Sequence, residues 1–294
     1  MTTTDSTPGT DTVRPPESNR PGPLAVTRRV ARGLIPIIVP LVVLALWEYA
    51  GRQRLLADGL FPPATKAAAA LLVWIAGSGT TGDLVPASIY SGTWSEHVGA
   101  SLVRILTGYL IGSALAVVLG LAGGVSLLAR RALDPTINAI RPISITAWVP
   151  LALVLFGIGD RPAVFLTALA TFFPVYINTL SGARYVEVRM IRAARMLGAT
   201  RGEVIGKVVL PAALPSIAVG LRVAAAIAWT TVVIAEILGA KSGLGYVLID
   251  SYNQFRFDYV IAAMISLGAC GFLTDRLVQL AFARPLRWIG DRAH

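Results

Sequence analysis

Six apolar stretches long enough to cross a lipid bilayer as helices constrain this sequence more than any other feature. A spanning helix needs about 20 mainly apolar residues. The stretches are Leu34–Ala50, Ser101–Leu128, Ile137–Gly157, Ala163–Gly182, Ala212–Leu238 and Tyr259–Phe282. Only 14% of the 294 residues are charged, whereas soluble domains contain about 25%. The sequence therefore predicts an all-α polytopic membrane protein with six transmembrane helices.

The segments outside these stretches suggest three units. Residues 1–30 are rich in Thr, Pro, Ser and Arg without apolar periodicity, which predicts a disordered cytoplasmic tail. Residues 31–97 are expected to form the first transmembrane helix and an outer loop, and residues 98–290 the transmembrane core. Within the outer loop, Ala64–Ala76 is too short to span and is predicted as an amphipathic or re-entrant segment. Gly77–Glu96 is rich in Gly, Ser and Thr and is predicted as a loop.

The distribution of Lys and Arg predicts the orientation. With the N-terminus inside, sixteen of them lie in cytoplasmic segments and six in outer segments. The outer six are Arg52, Arg54, Lys66, Arg161, Lys241 and Arg256. The positive-inside rule therefore places both termini in the cytoplasm. It also accounts for most of the net charge of +10, which is not evidence for an anionic ligand.

Small residues recur at every fourth position of the second span. They are Gly108, Gly112, Ala116, Gly120 and Gly124. A stripe without bulky side chains lets another helix approach closely, which is how membrane helices associate. Glycine is also common in membrane helices generally, but five small residues in register favour close helix packing.

The third span contains two prolines, Pro142 and Pro150. Each proline removes a helix hydrogen bond and clashes with the preceding turn. Carbonyl groups freed at membrane depth are tolerated inside protein or beside a water-filled cavity. The pattern fits either a discontinuous, pore-lining helix or a simple kink.

The cytoplasmic segment Arg184–Pro211 is predicted to form two short helices. Apolar residues at helical spacing are Val188, Ile191 and Ala194 in the first helix and Val204, Ile205 and Val208 in the second. Gly198 lies between them, and glycine adopts the positive φ of such a turn at little cost. A basic, partly apolar hairpin needs a docking partner; alternatively, it is an amphipathic helix lying on anionic lipid.

This segment resembles the EAA loop of ABC importer permeases. The matching residues are Arg192-Ala193-Ala194-x-x-x-Gly198, then nine residues, then Val208-x-Leu210-Pro211. The family consensus is Glu-Ala-Ala-x-x-x-Gly, nine residues, and Ile-x-Leu-Pro, so the spacing agrees throughout. Arg192 stands where the motif usually has Glu, which reverses the charge at that position.

Further stretches between about Ser101 and Trp288 resemble the nitrate, sulfonate, taurine and bicarbonate permeases. They include Ser101-Leu102-x-Arg104, Arg141-Pro142-Ile143, Phe156-Gly157-Ile158-Gly159, Asn178-Thr179, Gly220-Leu221-Arg222, Ala235-Glu236 and Gly243-Leu244-Gly245. The resemblance implies a type I ABC importer permease architecture with a cytoplasmic EAA coupling hairpin, residues 184–211.

The resemblance also implies partners. These are two ABC ATPase subunits inside, a substrate-binding protein outside, and a second permease that is either identical or paralogous. The sequence has no Gly-x-x-x-x-Gly-Lys-Ser/Thr loop for phosphate binding. No cofactor is therefore expected on this chain, and ATP and Mg are expected on the partner ATPase.

Charged residues within membrane spans are costly and usually functional. Arg222 and Glu236 share the fifth span but are fourteen positions apart, about 21 Å along a helix, so they cannot pair. Together with Trp229 and Asn178 they are the candidate residues of a translocation pathway. The alternatives are snorkelling for Arg222 and an inter-helix hydrogen bond for Glu236. Three further polar residues are expected to be structural: Asp275 and Arg276 in bundle packing or at the interface, and His97 in a loop.

The predicted function is that of the permease subunit of an ATP-driven importer. Its solute is expected to be an organic sulfonate or a related small oxyanion, delivered by the binding protein. One alternative is a gradient-driven secondary transporter, a class that often shows internal repeats, but no repeat is found between the halves of this sequence. Another is a membrane enzyme or scaffold, but the sequence has neither a nucleophile–base pair nor metal-ligand spacing.

Overall fold

The computed structural model describes residues 23–54, 60–77 and 88–283. These residues form eleven α-helices and no β-strand: α1 Pro23–Arg52, α2 Ala64–Ala76, α3 Trp94–Val125, α4 Leu127–Ile140, α5 Val149–Phe156, α6 Asp160–Arg184, α7 Val188–Met196, α8 Arg201–Val204, α9 Leu210–Gly239, α10 Leu244–Asn253 and α11 Phe257–Ala283. A 3₁₀ turn, Ile145–Trp148, precedes α5, and a π turn, Ile205–Val209, joins α8 to α9. The predicted all-α class is confirmed.

Four helices of the described part are long and apolar enough to cross a membrane. They are α3, α6, α11 and the continuous helix from Arg201 to Gly239. A fifth span is possible if α4 and Ile145–Phe156 together form one bent span. The first predicted span lies within α1, whose side chains are described only from Ile38 onward. The total of six spans therefore stays a prediction.

Two predicted boundaries differ from the structure. Helix α1 begins at Pro23, so residues 23–30 are helical rather than part of the tail. Proline is favoured in the first turn of a helix because its missing N–H has no acceptor there. Residues 1–22 lie outside the described residues. The predicted outer loop ends early because α3 begins at Trp94, and residues 78–87 of that loop also lie outside the described residues.

The third predicted span is discontinuous. Helix α4 ends at Ile140, and the chain bends by 89° before it becomes helical again at Ile145. Pro142 lies in this bend, where its ring and its missing N–H prevent the helix from continuing. Pro150 instead lies in the first turn of α5, where it starts a helix. The geometry favours the discontinuous helix over a simple kink.

The contact between α3 and α6 forms the centre of the bundle. The stripe of small residues on α3 lies against α6: a Cβ added to Gly108 would lie 2.7 Å from the Cβ of Thr167. The other stripe positions also have no room for a larger side chain. A Cβ at Gly112, Gly120 or Gly124 would lie within 3 Å of atoms of α6, and Ala116 is fully buried. Helix α9 packs on α6 as well, because a Cβ on Gly220 would lie 2.8 Å from the Cβ of Asn178.

Candidate functional site

The turn after α7 is determined by local hydrogen bonds. Gly198 has a φ of +83°. Its N–H donates to the carbonyl of Arg195 at 3.0 Å, and the N–H of Ala199 donates to the carbonyl of Ala194 at 3.1 Å. These two bonds form a Schellman motif, which ends a helix with a left-handed residue. Space around Gly198 is open, so it is the backbone conformation that favours glycine here.

The second helix of the coupling hairpin (184–211) is not a separate element. Thr200 begins α8 through a capping box with Glu203. The helix then continues through the π turn into α9, and Pro211 lies in the first turn of α9 rather than at a helix end. The π turn directly before Pro211 accommodates the hydrogen bond that proline cannot make. The prediction of two short helices ending at Pro211 is therefore wrong for the second helix.

Helix α7 has a packed face and an open face. Ile191 and Ala194 pack on a buried cluster that includes Val204 and Val209. Val208 packs on the same cluster, and Arg192, Ala193, Gly198, Leu210 and Pro211 are exposed. Met196 and Leu197, at the end of α7, are 87% and 89% exposed. Adjacent exposed apolar side chains of this kind mark an interaction surface.

A groove of about 640 Å³ lies beside this surface. It runs between the end of α6, helix α7 and the start of α9, and its lining includes Tyr185, Met190, Val208 and Pro211. Tyr185 is 88% exposed. Met190 of α7 lines the groove, so the groove adjoins this helix, and its charged lining residues are Glu187 and Lys207.

A buried ion pair lies at the opposite end of the bundle. Nη1 of Arg104 on α3 donates to Oε1 of Glu236 on α9 at 2.6 Å, and the two side chains are 3% and 0% exposed. The hydroxyl of Ser101 also donates to Glu236, at 2.7 Å, and the N–H of Gly245 donates to its other oxygen at 2.9 Å. Glu236 therefore joins three helices. This geometry favours the inter-helix hydrogen bond over a pathway-lining position.

The same cluster fixes the connection between α9 and α10. Arg104 donates to the carbonyl of Ser242 at 2.7 Å and to the hydroxyl of Ser242 at 2.9 Å. Its Nε donates to Asp160, the first residue of α6, at 2.8 Å. Gly243 has a φ of +116°, and a Cβ there would collide with the Glu236 carboxylate. Each polar group of Arg104 thus has a partner, which a buried guanidinium requires.

His97 belongs to this region and is not a loop residue. It lies in the first turn of α3, where its Nδ1 accepts a hydrogen bond from the N–H of Gly243 at 3.1 Å. Its ring stacks on Tyr246, with centroids 6.2 Å apart. The expectation of a loop position is wrong because α3 starts three residues before His97.

Arg222 forms an ion pair with Asp275 of α11. Its Nε and Nη2 donate to the two carboxylate oxygens at 2.8 and 3.2 Å. The Arg222 and Asp275 side chains are 54% and 35% exposed, so this pair lies on the outer surface of the single chain. Asp275 also accepts a hydrogen bond from Gln279 at 2.7 Å. Arg222 therefore has a charged partner, whereas snorkelling would have left its guanidinium alone.

The four candidate pathway residues do not converge. Trp229 is 6% exposed, and its indole N–H donates to Thr274 at 3.1 Å, so it lies between α9 and α11. Asn178 is half-buried between α6 and α9 and donates to the carbonyl of Pro174 at 2.8 Å. Of the four, only Arg222 is largely exposed on this chain.

Comparison with known families decides the class. Residues 108–286 match the family described as binding-protein-dependent transport system inner membrane component. The chain belongs to the family of ABC importer permeases.

Two relatives show which group of ABC importer permeases this chain is similar to. The chain is 33% identical over 252 residues to the putative aliphatic sulfonates transport permease SsuC of Bacillus subtilis, which covers 86% of each protein. It is also 33% identical over 250 residues to the taurine transport system permease TauC of Escherichia coli, covering 85% of this chain and 88% of TauC. The predicted resemblance to the nitrate, sulfonate, taurine and bicarbonate permeases is confirmed, because the relatives include sulfonate, taurine and nitrate permeases.

The fold has a solved counterpart. A chain of the MetNI methionine ABC transporter in an inward-facing conformation aligns with a TM-score of 0.50 and 19% identity, covering 63% of this chain and 94% of that chain. At this identity the match shows the fold alone. The type I importer architecture predicted for the permease is confirmed.

The permease contains one set of residues that sequence reasoning missed as a group. Ser101, Arg104, Glu236 and Gly245 occur in three separate stretches that the resemblance singles out. The structure brings the three stretches together in one buried cluster. The signal that could have revealed it is a pair of opposite charges, Arg104 and Glu236, in two predicted spans, because an isolated charge in a span is costly.

Proposed function

We propose that this permease binds an ABC ATPase through the open face of α7 and the turn at Gly198. The supporting observation is that Arg192, Ala193 and Gly198 of the EAA-like motif lie on an exposed, partly apolar helix end which the other residues that the structure describes leave uncovered. ATP and Mg belong to the ATPase in this proposal, and this chain supplies no catalytic group. Closure of the ATPase moves α7 and, through the continuous helix from Arg201 to Gly239, the transmembrane bundle.

The charge at Arg192 sets a condition on that contact. Arg192 is exposed on α7, where the family motif has a Glu. An ATPase matched to this permease is therefore expected to present an acidic or neutral group at this point, because two facing cations would repel each other. The remaining motif residues support the same docking geometry as in the family.

The membrane arrangement follows from the charge distribution and the family. We infer six spans with both termini in the cytoplasm, α7 on the cytoplasmic side and the Arg104–Glu236 cluster on the outer side. A substrate-binding protein delivers the solute to the outer side. A second permease, either another copy of this chain or a paralogue, completes the pathway, and the exposed Arg222–Asp275 pair faces that pathway rather than lipid.

The solute is an organic sulfonate or a related small oxyanion. The names of the relatives support this proposal, because SsuC is assigned to aliphatic sulfonates and TauC to taurine. The net charge does not support it, since the charge follows from topology. Selection among related anions rests mainly with the binding protein.

ATP-driven uptake into proteoliposomes tests this function. The permease, its ATPase and its binding protein are reconstituted together, and uptake of a radiolabelled alkanesulfonate is measured. We expect uptake to require both ATP and the binding protein and to be unaffected by ionophores. Uptake that proceeds without ATP and disappears with an ionophore would instead establish a gradient-driven secondary transporter.

A further inference from the structure

Four of the six cations assigned to the outer side line one pocket. It has a volume of about 370 Å³ and lies between the end of α1, the start of α2 and the turn from α10 to α11. The cations are Arg52, Arg54, Lys66 and Arg256, and among the described lining residues Asp258 is the single carboxylate. Nothing in the transport mechanism above uses this pocket.

The wall formed by α1 and α2 is fixed by specific contacts. The indole N–H of Trp47 donates to the carbonyl of Pro62 at 3.0 Å. The Glu48 carboxylate accepts a hydrogen bond from the N–H of Thr65, in the first turn of α2, at 2.9 Å. Gly51 lies directly on Pro63, where a Cβ would come within 2.5 Å of the proline Cα. The pocket therefore has a preformed wall.

Two residues of the lining have a left-handed backbone without being glycine. Arg54 has a φ of +53° and Phe255 a φ of +58°, and no other non-glycine residue of the described part has a positive φ. Such conformations persist only where the surrounding structure holds them, and they concentrate at functional sites. Here they lie in two segments that are distant in sequence and border the same pocket.

The pocket carries excess positive charge. Arg52 pairs with Glu48, and Arg256 pairs with Asp258 at 3.1 Å. Arg54 and Lys66 have no carboxylate partner among the residues that the structure describes. Within the described part of the chain, the cations at this site therefore outnumber its carboxylates, which suits it to an anion.

The surroundings of the pocket are apolar and face outward. On α1, the side chains of Leu46 and Tyr49 are 62% and 60% exposed, and at the pocket rim Leu60 and Phe255 are 49% and 72% exposed. Among the described residues, helix α1 contacts α2, and the exposed apolar side chains from Ile38 onward are free to contact lipid. A basic pocket beside exposed apolar side chains corresponds to the boundary between lipid headgroups and acyl chains.

We propose that this pocket binds the phosphodiester group of an anionic phospholipid. Arg54 and Lys66 contact the phosphate, and the exposed rim side chains contact the acyl chains. The bound lipid links the peripheral helix α1 to the α10–α11 turn of the core. The exposed apolar rim favours a lipid over a free oxyanion, which gains nothing from apolar contacts.

Native mass spectrometry of the intact transporter complex tests the site. Apparent affinities for phosphatidylglycerol and for phosphatidylcholine with the same acyl chains are compared in detergent. The test variant is Arg54→Gln with Lys66→Gln. Its matched control is Arg161→Gln with Lys241→Gln, two exposed outer cations outside the pocket. Thermal unfolding verifies that both variants remain folded.

We expect the wild type and the control to bind phosphatidylglycerol more tightly than phosphatidylcholine. In the pocket variant the ratio of the two affinities should fall about 30-fold, because each cation near an anionic headgroup contributes about 1 kcal/mol. Equal losses in the two variants would overturn the site, because the effect would then be general surface charge. Displacement of phosphatidylglycerol by millimolar inorganic phosphate would overturn the lipid assignment in favour of a free oxyanion. A pocket variant with unchanged lipid preference but weakened binding-protein association would also overturn it, in favour of an acidic protein surface.

Discussion

The coupling hairpin and the Arg104–Glu236 cluster lie at opposite ends of the same continuous helix and are built in different ways. The hairpin depends on short-range hydrogen bonds around Gly198, and its apolar end is exposed. The cluster depends on an ion pair between residues 132 positions apart, and it is almost completely buried. One end is therefore ready to bind another protein, whereas the other end holds the bundle of this chain together.

This difference predicts different consequences of substitution. At the buried end, a change removes interactions within the chain and should first lower stability. At the exposed end, a change should leave the fold intact and alter the association with the ATPase. A substitution that lowers stability and ATPase association equally would show that the two ends do not differ in this way.

The largest expected effect on stability comes from Glu236→Gln. It leaves the buried Arg104 without its charged partner on α9, and breaking a buried pair costs about 3–5 kcal/mol. The matched control is Asp275→Asn, which breaks the exposed pair with Arg222 and should cost at most about 1 kcal/mol. Thermal unfolding of the purified complex measures both. Equal shifts in the two variants would show that burial does not distinguish the pairs.

The next effect concerns the packing of α3 on α6. Gly112→Leu places a large side chain against Ala168 and Thr171, and overpacking of this kind costs typically about 1–3 kcal/mol, with more where backbone must move. Gly99→Leu is the control on the same helix, because no other group lies within 4 Å of a Cβ at that position. The yield of folded protein and its unfolding temperature should fall only for Gly112→Leu. A comparable loss at Gly99 would point to helix insertion rather than packing.

A smaller effect is expected for Arg222→Lys. The lysine keeps a positive charge beside Asp275 on an exposed surface, where ion pairs contribute about 0–1 kcal/mol. Uptake by proteoliposomes should remain close to that of the wild type, whereas Glu236→Gln should lower it strongly. Near-normal uptake by both variants would leave the two charged residues with structural roles only.

Sequence reasoning succeeded where the signal is local or periodic. The apolar runs indicated the helical membrane class, and the EAA-like spacing identified the family. It failed where distant residues decide the outcome. Nothing local relates α3 to α9, so the only available signal for pairing Arg104 with Glu236 was their opposite charges in two predicted spans, and that signal does not fix the contact. The helix across Pro211 could not be foreseen either, because the π turn that accommodates the proline has no residue signature of its own.

The variants Gly198→Val and Gly202→Val test whether the coupling hairpin docks on the ATPase. Both positions have open space around a Cβ, but only Gly198 has a positive φ. A left-handed conformation costs an L-residue about 1–2 kcal/mol, and the β-branched valine adds to that strain. The turn should then shift and displace Ala193 and the rest of the open face of α7 from the ATPase.

Co-purification of the ATPase and substrate-stimulated ATP hydrolysis in reconstituted membranes measure the outcome. We expect Gly198→Val to reach the membrane, and we expect the external protein to bind substrate as before. The variant should lose most of its association with the ATPase and most of the substrate-stimulated ATP hydrolysis. Gly202→Val should retain them. Normal ATPase association and stimulation in Gly198→Val would contradict the docking role of the hairpin and favour a helix that lies on the lipid surface.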